Sequence, residues 1–292
     1  MLMSPKIQEQ LGNWYEIMGD IVASKEWDAL YTMLKSSVQN KKTVIPKSAD
    51  VWKAWRLCDR HKVKCVIIGQ DPYPTVKEDV YTANGIPFDC SNTKMLQPSL
   101  YSIWEAVEKY YSGNSIDPDM WQTHDISWWI TEENILLINS SNTCEKDKPG
   151  SHWQYWEPIM RMFIDILNKY YRGLPIVLMG TQAQKLESSI EPMIHHIYKC
   201  EHPVMATRNN RPWVTDMFRW VNNILEANNG KSACIQWYRK KGEKKKVDES
   251  TRTQVWCMLD SGVSGREISI ATGVSTTYVS RQRKLWKQER GQ

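Results

Sequence analysis

Short apolar runs that end abruptly in polar residues recur four times along the chain. Val63-Lys64-Cys65-Val66-Ile67-Ile68 stops at Gly69-Gln70-Asp71-Pro72-Tyr73, and Ile135-Leu136-Leu137-Ile138 runs into Asn139. Ile176-Val177-Leu178-Met179 runs into Gly180-Thr181, and His195-His196-Ile197-Tyr198-Lys199-Cys200 into Glu201-His202-Pro203. Runs of this length, rich in β-branched and apolar side chains, predict strands. The stretches between them are long enough for helices. The pattern predicts an α/β fold: a three-layer α/β/α sandwich on a central four-stranded, mainly parallel sheet with crossover connections. Ligands of such sheets bind just beyond the carboxyl ends of the strands. Asp71, Asn139, Thr181 and His202 are therefore expected on one rim, where a carboxylate, an amide and an imidazole make an acid–base constellation.

The intervening segments read as helices. Residues 1–26 show weak helical periodicity and suggest a packing helix. Trp27–Val38, Val51–His61, Leu100–Tyr111, Tyr155–Tyr170 and residues 213–227 carry apolar faces at helical spacing. Ser99 is placed to cap the helix at Leu100 and to point free N–H groups outward as a phosphate seat, although capping alone explains it equally well. The Trp-rich segment Trp121–Glu133 is expected to pack. Pro72–Pro87 is long for a loop without structure of its own, and such loops are usually functional or mobile.

Past residue 230 the texture changes. Gly242-Glu243-Lys244-Lys245-Lys246 reads as a polar break. Thr251–Leu259, Ser264–Ala271 and Thr276–Lys287 read as three helices, with Gly273-Val274-Ser275 as a turn. Ile268 and Val279 sit where a helix-turn-helix places its core. The expected organisation is an α/β domain over 1–230, a basic linker over 231–247 and an all-α helix-turn-helix domain over 248–292. Thr276, Thr277, Tyr278, Ser280, Arg281 and Arg283 would face DNA. The alternative is a small packing or dimerisation bundle.

Composition narrows the classes. The chain has 292 residues, 41% hydrophobic and 24% charged, ordinary for a globular protein. No apolar run approaches the ~20 residues of a membrane helix, and the N-terminus lacks a signal peptide's apolar core. The expected location is the cytoplasm, of a cell or of a host. Seven scattered cysteines without a Cys-x-x-Cys pair argue against zinc ribbons and iron–sulfur clusters and for free thiols in a reducing compartment. The net charge of +5 is uneven: residues 231–292 hold 14 Lys and Arg against 6 Asp and Glu, leaving the rest slightly acidic. A basic tail of this kind suits non-specific phosphate attraction.

From about Trp27 to Leu225 the chain also resembles the uracil-DNA glycosylases. Gly69-Gln70-Asp71-Pro72-Tyr73 resembles their water-activating motif, Leu136-Leu137-Ile138-Asn139 their uracil-reading strand, and His202-Pro203 the start of their minor-groove loop. Lesser marks are Ile45-Pro46, Gly85-Ile86-Pro87-Phe88, Gln97-Pro98-Ser99-Leu100, Ser151-His152 and Gly180-Thr181-Gln182-Ala183-Gln184-Lys185. The resemblance implies hydrolysis of the N-glycosidic bond of deoxyuridine in DNA, without metal or cofactor, as the first step of base excision repair, on an extruded base. It implies that Asp71 activates water and balances the sugar's positive charge, while His202 hydrogen-bonds O2 of the departing uracil. Gln70 would contact the base, Tyr73 would fill the space of thymine's methyl group, Phe88 would stack on uracil, and Asn139 would pair with its O4 and N3–H. Phe88 as a core aromatic, Asn139 as a turn residue and His202 as a structural histidine are the bland alternatives. Pro98, Ser99, Gly180, Thr181, Pro203, Met205 and Arg208 would meet the DNA backbone or duplex, with Arg211, Arg219 and His152 as further phosphate contacts.

Three departures from the family's pattern stand out. Pro74 follows Asp-Pro-Tyr where most members have His, as in the poxviral branch. The 72–87 loop is longer than usual. Val204-Met205-Ala206 replaces Ser-Pro-Leu, whose Leu wedges into the duplex; Met205 is the nearest substitute. These imply weaker action on double than on single strands. The other functional reading is a catalytically weak uracil- or DNA-binding accessory or regulatory protein in replication. The chain is expected to act as a monomer.

Overall fold

Three of the four expected strands, Cys65–Gly69, Ile135–Asn139 and Pro175–Met179, are buried at every residue, whereas His196–Cys200 is half exposed. A strand buried on both faces has helices above and below it. The half-exposed strand lies at an edge of the sheet. The structure, a computed structural model, describes residues 5–111, 123–239, 249–272, 274 and 276–289. It divides into two units, residues 1–241 and 242–292.

In the first unit the chain runs through α1 (Pro5–Leu11), α2 (Tyr15–Val22), α3 (Lys25–Gln39), β1 (Val44–Ile45), α4 (Lys53–Leu57), β2 (Cys65–Gly69), β3 (Val76–Lys77) and β4 (Val80–Tyr81). It continues through α5 (Pro98–Tyr110), α6 (Ser127–Thr131), β5 (Ile135–Asn139), β6 (Cys144–Glu145), α7 (Trp153–Tyr170), β7 (Pro175–Met179), α8 (Thr181–Gln184), β8 (His196–Cys200), α9 (Pro203–Arg208) and α10 (Met217–Asn229). The central sheet has the order β5-β2-β7-β8, with every pairing parallel. The chain crosses from β5 over β2 to β7, so the order reverses beside β2, the point where ligands of such sheets bind. Gly69 pairs with Asn139 in the β2–β5 register. That pairing sets the two polar exits side by side.

The core contains an unusual number of indoles. Trp52 lies 5.2 Å from Trp27, 5.0 Å from Trp55 and 5.3 Å from Trp156, so tilted and stacked rings fill the space between helices.

Several expectations shift. The single helix expected over 1–26 is α1 and α2 joined by a turn of 3-10 helix. The helix expected over Val51–His61 shrinks to α4, and that expected from 213 begins at Met217. Trp213 instead stays in the preceding loop, buried, with its indole N–H donating to the Glu201 carbonyl at 2.9 Å. The 72–87 segment is not structureless: β3 and β4 pair as a ribbon whose turn residues, Glu78 and Asp79, are both left-handed (φ 49° and 60°), as a two-residue hairpin turn requires. Trp128 and Trp129 pack as expected; Trp121 lies outside the described residues.

The linker expected over 231–247 does not begin at 231. Ile235, Trp237 and Tyr238 are buried in the first unit's core, and the Ile235 N–H donates to the Asn222 side chain at 2.8 Å. The Trp237 ring packs 4.9 Å from Phe218 and 5.3 Å from Trp129. Aromatic burial outweighs the local positive charge, so the domain reaches past 230. Residues 240–248 lie outside the described ones.

The second unit comprises α11 (Glu249–Asp260), α12 (Gly265–Thr272) and α13 (Thr276–Glu289), close to the three helices expected. Its core is Val255, Leu259, Ile268 and Val279. Ser264 and Glu267 cap α12 reciprocally: the Ser264 N–H donates to Glu267 Oε2 at 3.1 Å, and the Glu267 N–H to Ser264 Oγ at 3.3 Å. Gly273 and Ser275 lie outside the described residues.

Candidate active site

The site begins where β2 and β5 end. A Cβ on Gly69 would lie 2.5 Å from Asn139 Oδ1 and 3.4 Å from Phe88 Cζ. The missing side chain at 69 is what admits the Asn139 carboxamide and the Phe88 ring together. Asn139 is 5% exposed, and among the described residues its carboxamide makes no hydrogen bond. It is held from behind, its backbone N–H donating to Asn142 Oδ1 at 3.2 Å. A buried amide with both donor and acceptor unspent is a recognition group awaiting a partner.

The following loop fixes the Gly69–Asp71 backbone. The Ser140 N–H donates to the Gly69 carbonyl at 3.0 Å, and the Ser141 N–H and Ser140 hydroxyl to the Gln70 carbonyl, each at 2.9 Å. The Gln70 side chain then lies over Gly180: a Cβ there would stand 2.7 Å from Gln70 Nε2 and 2.9 Å from His202 Cβ. Gly180, at φ +86°, thereby brings the exits of β2, β7 and β8 into contact.

Asp71 is half-buried, and its Oδ2 accepts from the Gly150 N–H at 2.9 Å. Burial pushes its pKa up to about 6, against the opposing pull of that N–H and of the Arg208 charge. His202 is the N-cap of α9, and its Nδ1 accepts from the Val204 N–H at 3.3 Å. An Nδ1 that accepts leaves the ring proton on Nε2. Burial pushes its pKa down to about 4, and Arg208 adds to the same effect. Near neutral pH, Asp71 is thus a carboxylate of raised basicity and His202 an uncharged N–H donor.

Phe88 bridges the two sides. It is buried, its ring lies 5.6 Å from that of His202, and its backbone is left-handed at φ +64°. A bulky residue there costs roughly 1–2 kcal/mol. The strain is held by Asp89, which accepts from Asn84 Nδ2 (2.6 Å), the Ser91 N–H (3.0 Å), the Ser91 hydroxyl (2.6 Å) and the Ile126 N–H (2.9 Å). The Tyr73 hydroxyl reaches the Phe88 carbonyl at 3.4 Å. Burial pushes that phenol's pKa well up, against hydrogen bonds from the Ser99 side chain and the Leu100 N–H.

The family model of the uracil DNA glycosylase superfamily matches residues 55–226, a span that contains every group just described. The chain belongs to the uracil-DNA glycosylase superfamily. A uracil-DNA glycosylase of Pectobacterium atrosepticum is 32% identical over 197 residues, 67% of this chain and 82% of that protein. One from Vibrio cholerae is 28% identical over 225 residues, 77% of this chain and 95% of its own. The crystal structure of mimivirus uracil-DNA glycosylase superposes with a TM-score of 0.65 at 22% identity, covering 80% of this chain and 87% of that one, which shows the shared fold.

Within this glycosylase fold the remaining expected residues divide. Gly180 is buried, and Thr181 is exposed at the first turn of α8. Pro203 is buried at the start of α9, while Met205 is 38% exposed on it. Arg208 ends α9, exposed and without an ion pair among the described residues, near enough to bias both Asp71 and His202. Arg219 is exposed on α10.

Three expectations are corrected. Arg211 is tied to Glu201, 2.7 Å from its Oε1, and is not a free cation. His152 is 2% exposed with its Nδ1 2.9 Å from Thr143 Oγ1, so its ring is enclosed rather than presented to a phosphate. Ser99 does not cap α5: Gln97 holds that position and Pro98 follows it, while Ser99 is buried against the Tyr73 phenol. Asp89 is the residue that the motifs missed. Its only signal in the sequence was an acid following Phe88 in an otherwise apolar stretch.

Proposed function

We propose that the chain is a monofunctional uracil-DNA glycosylase, hydrolysing the N-glycosidic bond of deoxyuridine in DNA to free uracil and leave an abasic site. The observation that carries this reading is that the strand exits bring the Asp71 carboxylate and the His202 imidazole within reach of one Arg208 charge, with the unspent Asn139 amide against Gly69 and Gln70 against Gly180 and His202. Cleavage develops positive charge on the sugar and negative charge on the departing base. Asp71 stabilises the first and orients the attacking water; the Nε2–H of His202 hydrogen-bonds uracil O2 as it gains charge. A neutral donor suits this step, since its proton is already on the correct nitrogen. Asn139 offers its donor to O4 and its acceptor to N3–H, a pattern that cytosine does not match. Phe88 stacks on the extruded base. Gln70 contacts it from the Gly180 side, and Tyr73 closes the space beside C5 that thymine's methyl would need.

Pro98, Thr181, Met205 and Arg208, all exposed, form the proposed backbone-contact rim, with Gly180 and Pro203 buried behind it and Arg208 as the phosphate contact nearest the chemistry; Ser99, enclosed beside Tyr73, is left off the rim. The chain supplies every group of the site itself, so the reading is of a monomeric enzyme. All seven cysteines are unpaired, which suits the reducing interior of a cell; among the described residues no helix is long and apolar enough to cross a membrane.

The test is incubation of the purified chain with a single uracil-containing oligonucleotide, followed by alkali. Strand scission at the uracil, lost in Asp71→Asn, is the expected result. An uncut strand that remains bound would replace the enzyme with a catalytically weak DNA reader.

A further inference from the structure

The family match ends at residue 226, and nothing in the excision chemistry uses the second unit. Four of the six Lys and Arg among its described residues lie on α13: Arg281, Arg283, Lys284 and Lys287, against one acid, Glu289. Helix α11 carries Arg252 with Glu249 and Asp260, and α12 carries Arg266 with Glu267, so neither has a net positive face. The charge is therefore concentrated on one helix.

That helix is locked in rotation. Val279 and Gln282 are buried, at 1% and 6% exposure. The Trp256 indole N–H donates to Gln282 Oε1 and the Trp286 indole N–H to Asp260 Oδ1, each at 2.9 Å. Two indole hydrogen bonds, both to the C-terminal half of α11, thus pin one face of α13 inward. Arg283 belongs to this inner side: it is half-buried, with its guanidinium against the Val263 carbonyl at 3.5 Å and beside Gly265. The reading of Arg283 as a DNA contact is corrected accordingly. Tyr278 is likewise packed against the core. The side chains of Thr276 and Thr277 lie outside the described residues.

Ser280, Arg281, Lys284, Leu285, Lys287 and Gln288 are exposed. Arg281, Lys284 and Lys287 follow at three-residue steps, about 4.5 Å apart along the axis. Three cations with no acidic side chain interleaved, on a helix backed by two others, match the width and charge of a duplex major groove.

We propose that the outward face of α13, built on Arg281, Lys284 and Lys287 with Ser280 and Gln288, docks double-stranded DNA independently of uracil. This surface is separate from the excision site and tethers the enzyme to duplex. It is favoured over an acidic protein partner because the cations lie along one rod-like element that a groove encloses.

The test uses the full chain and a labelled 25-base-pair duplex without uracil. The variants are Arg281→Glu/Lys284→Glu/Lys287→Glu together, Arg281→Ala alone, and Arg283→Ala as a substitution outside the docking face. The triple variant should lose at least about tenfold in duplex affinity, and its slope of log affinity against log salt should fall by about 3. Arg281→Ala should weaken binding several-fold, and Arg283→Ala should leave the salt slope unchanged. Uracil release from a short single-stranded oligonucleotide should be the same in all of them. Unchanged duplex affinity and slope in the triple variant would overturn the proposal. So would an equal loss on single-stranded DNA of the same length, or a change from dimer to monomer, which would make the face a self-association surface. A wild-type chain that binds duplex but releases no uracil would instead sink the excision reading alone. Far-ultraviolet circular dichroism confirms helix content in each variant.

Discussion

The Val204 N–H points at Nδ1 of His202 across 3.3 Å, so the first free amide of α9 selects the tautomer of the imidazole that precedes it. The helix end and the ring satisfy one another, and Nε2 keeps the proton. Removing the ring removes the donor that meets uracil's developing charge. His202→Ala is expected to lower kcat by 10²–10³, about the loss on deleting a donor to a developing oxyanion, with a smaller effect on KM. Single-turnover uracil release measures it, and a loss below tenfold would dismiss His202 as the electrophile.

The two shifted groups give a definite pH profile. Asp71 acts as a carboxylate and titrates near 6, while His202 is neutral above about 4. Activity should rise with pH through about 6 and show no second ionisation from the imidazole between 5 and 8. A profile flat from pH 5 to 8 would contradict the assignment of Asp71.

The same shift predicts a stability effect of opposite sense to activity. The carboxyl's folded pKa of about 6 lies above the ordinary 3.8, so the folded state holds this proton more tightly than the unfolded state does. Its stabilising contribution is complete below pH ~4 and is lost as pH rises through about 6. Asp71→Asn should therefore be inactive yet more stable at pH 7.5, by on the order of 2–3 kcal/mol, with no gain below pH ~4. Thermal melts at the two pH values check this.

Gly69→Ala tests the floor of the site. The new Cβ, 2.5 Å from Asn139 Oδ1, must push the carboxamide aside because the paired strands cannot separate. KM for uracil-containing DNA should rise at least tenfold while the fold persists. Normal kinetics would mean that Asn139 is not positioned through Gly69.

Asp89→Ala should remove the clamp on Phe88. It leaves the Ile126 N–H without its acceptor and the Asn84 amide with only Ser91 Oγ, at 3.0 Å, at about 1–3 kcal/mol for each unsatisfied buried group. The expected outcome is a lower Tm together with a fall in kcat/KM, partly restored by Asp89→Asn. Loss of stability with unchanged kcat/KM would limit Asp89 to a structural role.

Met205→Ala addresses strand preference. Met205 is the exposed apolar side chain on α9, and His202 caps that helix. The variant should lose activity on double-stranded substrate and keep it on single strands, so the ratio of the two rates is the measurement. An unchanged ratio would remove Met205 as the wedge.

What could be read from the chain alone was whatever local pattern dictates. Four short runs predicted four parallel strands: three are unbroken hydrophobic stretches because they are buried on both faces, and the fourth, His196–Cys200, mixes polar residues in because it lies half exposed at the edge. The positions of Asp71, Asn139 and His202 after those runs predicted their meeting, because parallel strands send their exits to one rim. Other outcomes depended on neighbours distant in sequence. Trp237 belongs to the core because Phe218 and Trp129 receive it, which the surrounding lysines conceal. Arg211 is spent on Glu201, and His152 is enclosed beside Thr143. The side of α13 that carries Arg283 was settled by indoles on α11 and α13, through Gln282 and Asp260. Spacing along a chain sets which side chains share a face; only packing sets which face is turned inward, and the charge and hydrogen-bonding state of each group follow from that.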